Sequence, residues 1–228
     1  MNDPFYVLFD LDGTLVDSAL DLTGALNHTL SSLDLPEVAE DSVRDMVGFG
    51  ARRLIEQGVE AAGVDLNDDE IEAALQTFLD YYAEHIVDRT RPFPGTRKAL
   101  ETLRREGAVM AVCTNKPQAL SEAVLQRLKL RHFFGAIVGA DKAPERKPHK
   151  AHAEATMAAI KANPDQCIFV GDSATDVEGA HNAGLPVVAV SFGYSTTPVA
   201  ELGADDVVDN MMDLPGAIFD LIDGATDS

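Results

Sequence analysis

Short, continuously apolar runs recur along the chain, each followed by polar or glycine-containing residues: Phe5–Phe9, Val109–Cys113, Ala136–Val138, Cys167–Val170 and Val187–Val190, with a weaker run at Asp206–Val208. Runs of this length without polar alternation suit strands buried on both faces, so they predict a parallel sheet. Between them, apolar positions at helical spacing predict helices near Thr96–Glu106, Gln118–Lys129, Lys150–Ala162, Ala174–Ala183 and Met211–Ile222. Strand and helix in alternation indicate an α/β fold, a Rossmann-like doubly wound parallel sheet.

One segment breaks the alternation. From Asp17 to about Arg91 no strand pattern is evident, but Ala19–Leu33 is helical in period and stops before Leu35-Pro36. Ile71, Leu75, Phe78, Tyr82 and Ile86 fall on one helical stripe. The economical reading is an α-helical domain inserted at residues 17–91, with 1–16 and 92–228 forming the main, sheet-containing domain. Arg91-Pro92-Phe93-Pro94-Gly95 marks the return to the core, and only the tail Asp223–Ser228 reads as frayed.

Composition narrows the function classes. Of 228 residues, 46% are hydrophobic, and 18 Lys+Arg against 38 Asp+Glu give a net charge of −20. Such a chain builds a core, and its charge repels nucleic-acid phosphates and anionic lipid, so neither is an expected partner. No apolar run is long enough to span a membrane, and the N-terminal residues Met1-Asn2-Asp3-Pro4 lack the basic start of a secretory signal. A cytoplasmic protein, monomer or homodimer, is expected.

In open α/β sheets, ligands gather beyond the carboxyl ends of the strands. After the first strand come Asp10-Leu11-Asp12-Gly13-Thr14, two carboxylates on one side of an extended chain with a glycine to turn it. Confined carboxylates can divide the roles of nucleophile or metal ligand and acid/base, though Asp10 and Asp12 would also serve in a helix cap or Asx turn. After the second, Thr114-Asn115-Lys116-Pro117 offers a hydroxyl for a phosphoryl oxygen or an ordinary helix cap. After the third, Lys147 precedes Pro148, which suits the first turn of a helix; a lysine here offsets carboxylate repulsion, with Lys142 and Lys150 as rivals. After the fourth, Asp172 and Asp176 join Asp10 as oxygen ligands for a hard cation such as Mg²⁺, while Ser173–Asp176 also reads as a capping box.

Asp/Asp, Thr, Lys and Asp/Asp, in that chain order at four strand ends, resemble the haloacid dehalogenase superfamily on its phosphatase side, with a helical cap after the first motif. Phe9–Ser18, Thr114, Lys147 and Gly171–Asp176 match its four motifs, although Lys150 stands where a second proline often follows the third. The resemblance implies that Asp10 is the nucleophile forming an aspartyl-phosphate, and Asp12 the acid and then base. It also implies that Asp10, the Asp12 carbonyl and Asp172 hold Mg²⁺ with Asp176 behind them, while Thr114 and Lys147 bind the phosphoryl oxygens. Haloacid dehalogenases and phosphonoacetaldehyde hydrolases lack the acid at Asp12. β-Phosphoglucomutases usually carry Glu-Asp where this chain has Gly171-Asp172.

Val47-Gly48-Phe49-Gly50-Ala51-Arg52-Arg53-Leu54 resembles the cap loop of bacterial phosphoglycolate phosphatases. Gly48, Gly50 and Asn115 are therefore expected at the substrate, and Arg52 or Arg53 at a substrate carboxylate unless both arginines lie on the surface. Small phosphorylated metabolites are the implied substrates, phosphoglycolate first. Broad sugar-phosphate, nucleotide or pyrophosphate hydrolysis follows, and a phosphosugar mutase stands further off. Cys113 and Cys167 read as core residues: the superfamily's sheet order puts the first strand between them, against a disulfide. His149 and His152 share the face of a helix expected to be exposed, and Phe78, Tyr81 and Tyr82 read as cap core.

Overall fold

The computed structural model describes residues 4–44 and 46–226. Strand β1 (Tyr6–Phe9) leads into a short β2 (Val16–Asp17) and then four helices, α1 (Ala19–Ser32), α2 (Glu40–Arg44), α3 (Ala51–Ala61) and α4 (Asp68–Glu84). The chain returns through β3 (Arg91–Pro92) to α5 (Thr96–Arg105), β4 (Val109–Thr114), α6 (Gln118–Arg127), β5 (Phe134–Gly139) and α7 (Lys150–Ile160). It ends with β6 (Cys167–Gly171), α8 (Ala174–Asn182), β7 (Val187–Val190), β8 (Asp206–Val208) and α9 (Leu214–Thr226).

Six strands form one parallel sheet in the order β5-β4-β1-β6-β7-β8. Side chains alternate between its faces, as extended backbone requires. Val7, Phe9, Val112, Val170 and Val188 join one apolar cluster with α5 and α9, while Leu8, Cys113, Phe169 and Val187 join another with α7 and α8. Helices on both faces explain why the strands read as unbroken apolar runs. The order reverses at β1: β4 and β5 lie on one side, β6 to β8 on the other, which is where a ligand crevice opens.

The four-helix insertion sits on a stalk, because β2 and β3 pair antiparallel through Val16↔Pro92 and Asp17↔Arg91. This small sheet bounds the segment read as strandless. Asp21 clamps the stalk by accepting bonds from the Arg89 and Thr90 amides and the Thr90 hydroxyl. Ile71, Phe78 and Tyr82 are buried along α4 as their spacing predicts, and Asn67 opens that helix with a capping box to Glu70. Ile86 is buried too, although the helix has ended before it. A Cβ at Gly58 of α3 would lie 2.9 Å from Leu26 of α1, so glycine lets these helices approach closely.

Three local expectations change. The last helix begins at Leu214 rather than Met211, with Pro215 in its first turn where the missing N–H costs least, and it continues through Asp223 to Thr226 instead of fraying. Residues 227 and 228 lie outside the described residues. Pro148 precedes α7 rather than starting it: His149 is the cap, its Nδ1 accepting from the Ala151 amide. His152, expected on an exposed face, is fully buried, with Nε2 3.0 Å from the Val138 carbonyl. Among the described residues no helix is long and apolar enough to cross a membrane. Cys113 and Cys167 are free, buried and separated by β1, and burial pushes both thiols up to about 12.

Candidate active site

Three adjacent strand ends converge. The Asp10 amide donates to the Val170 carbonyl at 2.9 Å, locking the first residue past β1 against the end of β6. Gly13 turns the chain with φ 88°, and a Cβ there would come within 2.3 Å of the Asp172 carboxylate. Gly193 approaches Asp172 from the other side, where a Cβ would lie 2.2 Å from its Cβ. Two glycines thus press backbone onto Asp172, whose oxygens accept from the Thr14 hydroxyl and the Tyr194 amide, both at 2.8 Å.

Asp10, Asp172 and Asp176 are buried, with an oxygen from each within 4.8 Å of the others. Lys147 enters this cluster, its Nζ 2.8 Å from Asp10 Oδ1 and 2.6 Å from Asp176 Oδ1. Burial pushes the Asp10 carboxyl up to about 6 against the pull of Lys147, and Asp172 rises well above the usual range through burial and its acidic neighbours. Burial disfavours the Lys147 charge, but Asp10 and Asp176 outweigh it and raise its pKa. One ammonium against three carboxylates leaves excess negative charge in a dry site. Asp10 Oδ1 is buried with the Lys147 ammonium as its close partner. A buried all-oxygen set of three carboxylates could hold a hard divalent cation.

Asp176 forms the expected capping box and also lies in the acidic cluster. Its Oδ2 accepts from the Ser173 amide and hydroxyl and from the Asp172 amide, capping α8, while Oδ1 takes Lys147. Asp176 therefore has less acceptor capacity to spare than Asp10. Of the three candidate lysines only Lys147 is buried in this cluster: Lys142 is exposed and Lys150 pairs with Glu154 on the surface of α7.

Thr114 is buried at the end of β4. Asn115 is a bracket: its Oδ1 accepts the Lys147 amide at 3.0 Å, and its Nδ2 donates to the carbonyls of Lys147 and Gly48. It thus ties the lysine loop to the insertion. Gly48 and Gly50 line the pocket between the strand ends and the insertion, both at positive φ. Arg52 does not line it. Its guanidinium reaches Glu56, Asp68 and Glu72, and Arg53 reaches Glu56 and Glu60, so both arginines serve the surface of the insertion.

Sequence reasoning missed four contributors. Ser18 donates to Asp12 Oδ1 at 2.5 Å, and Lys116 Nζ lies 3.0 Å from both Asp12 oxygens. Tyr82, read as core, is buried but directs its hydroxyl to Lys116 at 2.8 Å. Tyr194 holds Asp172 through its amide, and its hydroxyl joins Asp17 to the Ser18 and Ala19 amides. Lys116 follows Thr114 and Asn115 directly, so a signal lay in the motif; nothing local marks Tyr194.

The comparisons agree with this geometry. A phosphoglycolate phosphatase of Caulobacter vibrioides is 47% identical, with 95% of this chain and 91% of the relative covered. One from Rhodospirillum rubrum is 41% identical, covering 92% and 89%. The crystal structure of a predicted phosphoglycolate phosphatase from Haemophilus somnus superposes with a TM-score of 0.87 at 33% identity, covering 95% of this chain and 99% of that one. Residues 7–190 match the model of the haloacid dehalogenase-like hydrolases, and the chain belongs to that family.

Proposed function

We propose that the chain is a Mg²⁺-dependent phosphomonoesterase working through an aspartyl-phosphate, with 2-phosphoglycolate as its substrate. The observation that carries the chemistry is the buried Asp10 carboxylate at a strand end, ion-paired with Lys147 and clustered with Asp172, with Asp12 two residues on. The substrate rests on the relatives at 47% and 41% identity, which are phosphoglycolate phosphatases.

Asp10 attacks phosphorus and the ester oxygen leaves, taking its proton from Asp12. Asp12 then removes a proton from water as that water attacks the aspartyl-phosphate, releasing inorganic phosphate and restoring Asp10. Lys147 and the Thr114 hydroxyl meet the phosphoryl oxygens. Ser18 orients the Asp12 carboxylate, and Asn115 sets the Lys147 backbone. Asp10, the Asp12 carbonyl and Asp172 would hold Mg²⁺, which offsets repulsion between the carboxylates and a phosphate dianion. Asp176 stands behind, spent on Lys147 and Ser173. Residues 17–91 act as a cap that excludes water from the pocket, and 1–16 with 92–228 supply the catalytic groups. A mutase is disfavoured by Gly171-Asp172, which stand where such enzymes usually carry Glu-Asp.

The test is phosphate release with Mg²⁺ from phosphoglycolate, sugar phosphates, mononucleotides and pyrophosphate, beside Asp10→Asn. Phosphoglycolate should exceed every rival by at least about tenfold in kcat/KM, about 1.4 kcal/mol. Asp10→Asn should lose at least about 10⁴-fold, the scale of removing a nucleophile. Activity retained by that variant overturns the chemistry; a flat substrate profile overturns only the substrate.

A further inference from the structure

Lys116 lies two residues past the end of β4, and its side chain is buried in the pocket wall. Much of the lining is apolar, with Leu22, Leu54, Phe78 and Leu120 among it, while Asp10 and Asp12 bring negative charge. Among the described lining residues, Lys116 is the only cation. Its ammonium contacts both Asp12 oxygens at 3.0 Å and the Tyr82 hydroxyl at 2.8 Å, and lies 4.5 Å from the Tyr82 ring centroid. Burying an ammonium is costly, and an apolar side chain would fill the space without that cost.

We infer that Lys116 sets substrate specificity by binding a carboxylate carried on the leaving group, with the Tyr82 hydroxyl as second donor; this rests on the phosphomonoesterase reading above. The geometry follows from Asp12. A leaving oxygen that takes its proton from Asp12 must lie within hydrogen-bond reach of that carboxylate, and Lys116 sits on the same two oxygens. In an ester of a short 2-hydroxy acid, the carboxylate carbon is two bonds from that oxygen, so its charge falls beside the ammonium. Lys147 is committed to Asp10 and Asp176 and Arg52 to three surface carboxylates, while Arg146, whose guanidinium lies near Gly50, does not line the pocket. Tyr82 accepts from Lys116 and keeps its own hydrogen to donate. Because Tyr82 belongs to α4 and Lys116 to the loop after β4, a bound carboxylate would join the insertion to the sheet.

The experiment compares binding of phosphoglycolate and ethyl phosphate, with Mg²⁺, to full-length Asp10→Asn protein by calorimetry. Ethyl phosphate has a neutral leaving group, so the affinity ratio isolates carboxylate recognition from turnover. Adding Lys116→Met should shrink the ratio about 10- to 100-fold, the scale of a charge-assisted hydrogen bond, and Lys116→Arg should recover most of it. Tyr82→Phe should shrink it about 3- to 10-fold, and decides the matter if the methionine variant fails to fold. An unchanged ratio in Lys116→Met, or equal loss of both ligands, overturns the assignment of Lys116 alone. A parent protein that does not discriminate the two esters overturns it together with the phosphoglycolate reading, while retained activity in Asp10→Asn betrays failure of the chemistry itself.

Discussion

Lys147 at the strand ends and Arg52 on the insertion each face more than one carboxylate, yet they stand in opposite physical regimes. Lys147 is 3% exposed, with Asp10 and Asp176 within 2.8 Å. Arg52 is 36% exposed, and its partners include Asp68, which is 97% exposed. In water the second arrangement is screened and exchanges freely with solvent, whereas the first cannot lose a member without leaving a bare charge in a dry site. Ion pairing alone therefore says little about function; the cost of the pair's location says more.

The largest effect expected of this contrast is in Lys147→Met. Without Mg²⁺, it leaves Asp10, Asp172 and Asp176 uncompensated and should destabilise the fold by about 3–5 kcal/mol in denaturant titration. A loss below 1 kcal/mol would show that the cluster relaxes or takes up protons instead.

An intermediate effect comes from His152, whose imidazole feels the Lys147 charge. Burial pulls its imidazole down to about 4, with Lys147 adding to the shift, so the folded protein keeps it neutral where the unfolded chain, titrating near 6.5, takes up a proton. Stability from this group is complete above pH 6.5 and is lost as pH falls toward 4, at up to about 1.4 kcal/mol per pH unit. His152→Gln, which keeps an N–H for Val138, should have the shallower acid dependence in melts taken from pH 7 to 4.5. Parallel curves would show that the imidazole does not carry the effect.

The smallest effect belongs to Arg52→Ala. Stability should change by about 1 kcal/mol or less, and phosphoglycolate kcat/KM by under about threefold. A loss approaching that of Lys116→Met would return Arg52 to the substrate.

The two regions were also unequally legible. Asp10, Asp12, Thr114, Asp172 and Asp176 could be singled out because a parallel sheet aligns its strand ends, so residues far apart in sequence gain a common address from local pattern. Local pattern left Lys142 and Lys150 as rivals to Lys147, and the structure buries only Lys147. The insertion lacks such an address. Its helical stripe predicted that Tyr82 is buried, but periodicity cannot say that the hydroxyl meets Lys116, and it left Arg52 either inward or on the surface.

The chain alone determined the apolar strands, the helices between them, the position of the insertion and the acidic groups at the strand ends. These follow from local periodicity and from where a buried strand must stop. Only the tertiary structure decided that Lys116 turns to Asp12, that Asn115 braces Lys147, that His152 is buried and that Tyr194 holds Asp172. Each depends on which distant backbone comes within hydrogen-bond range once both faces of the sheet are covered, and burial then decides which charges must be matched.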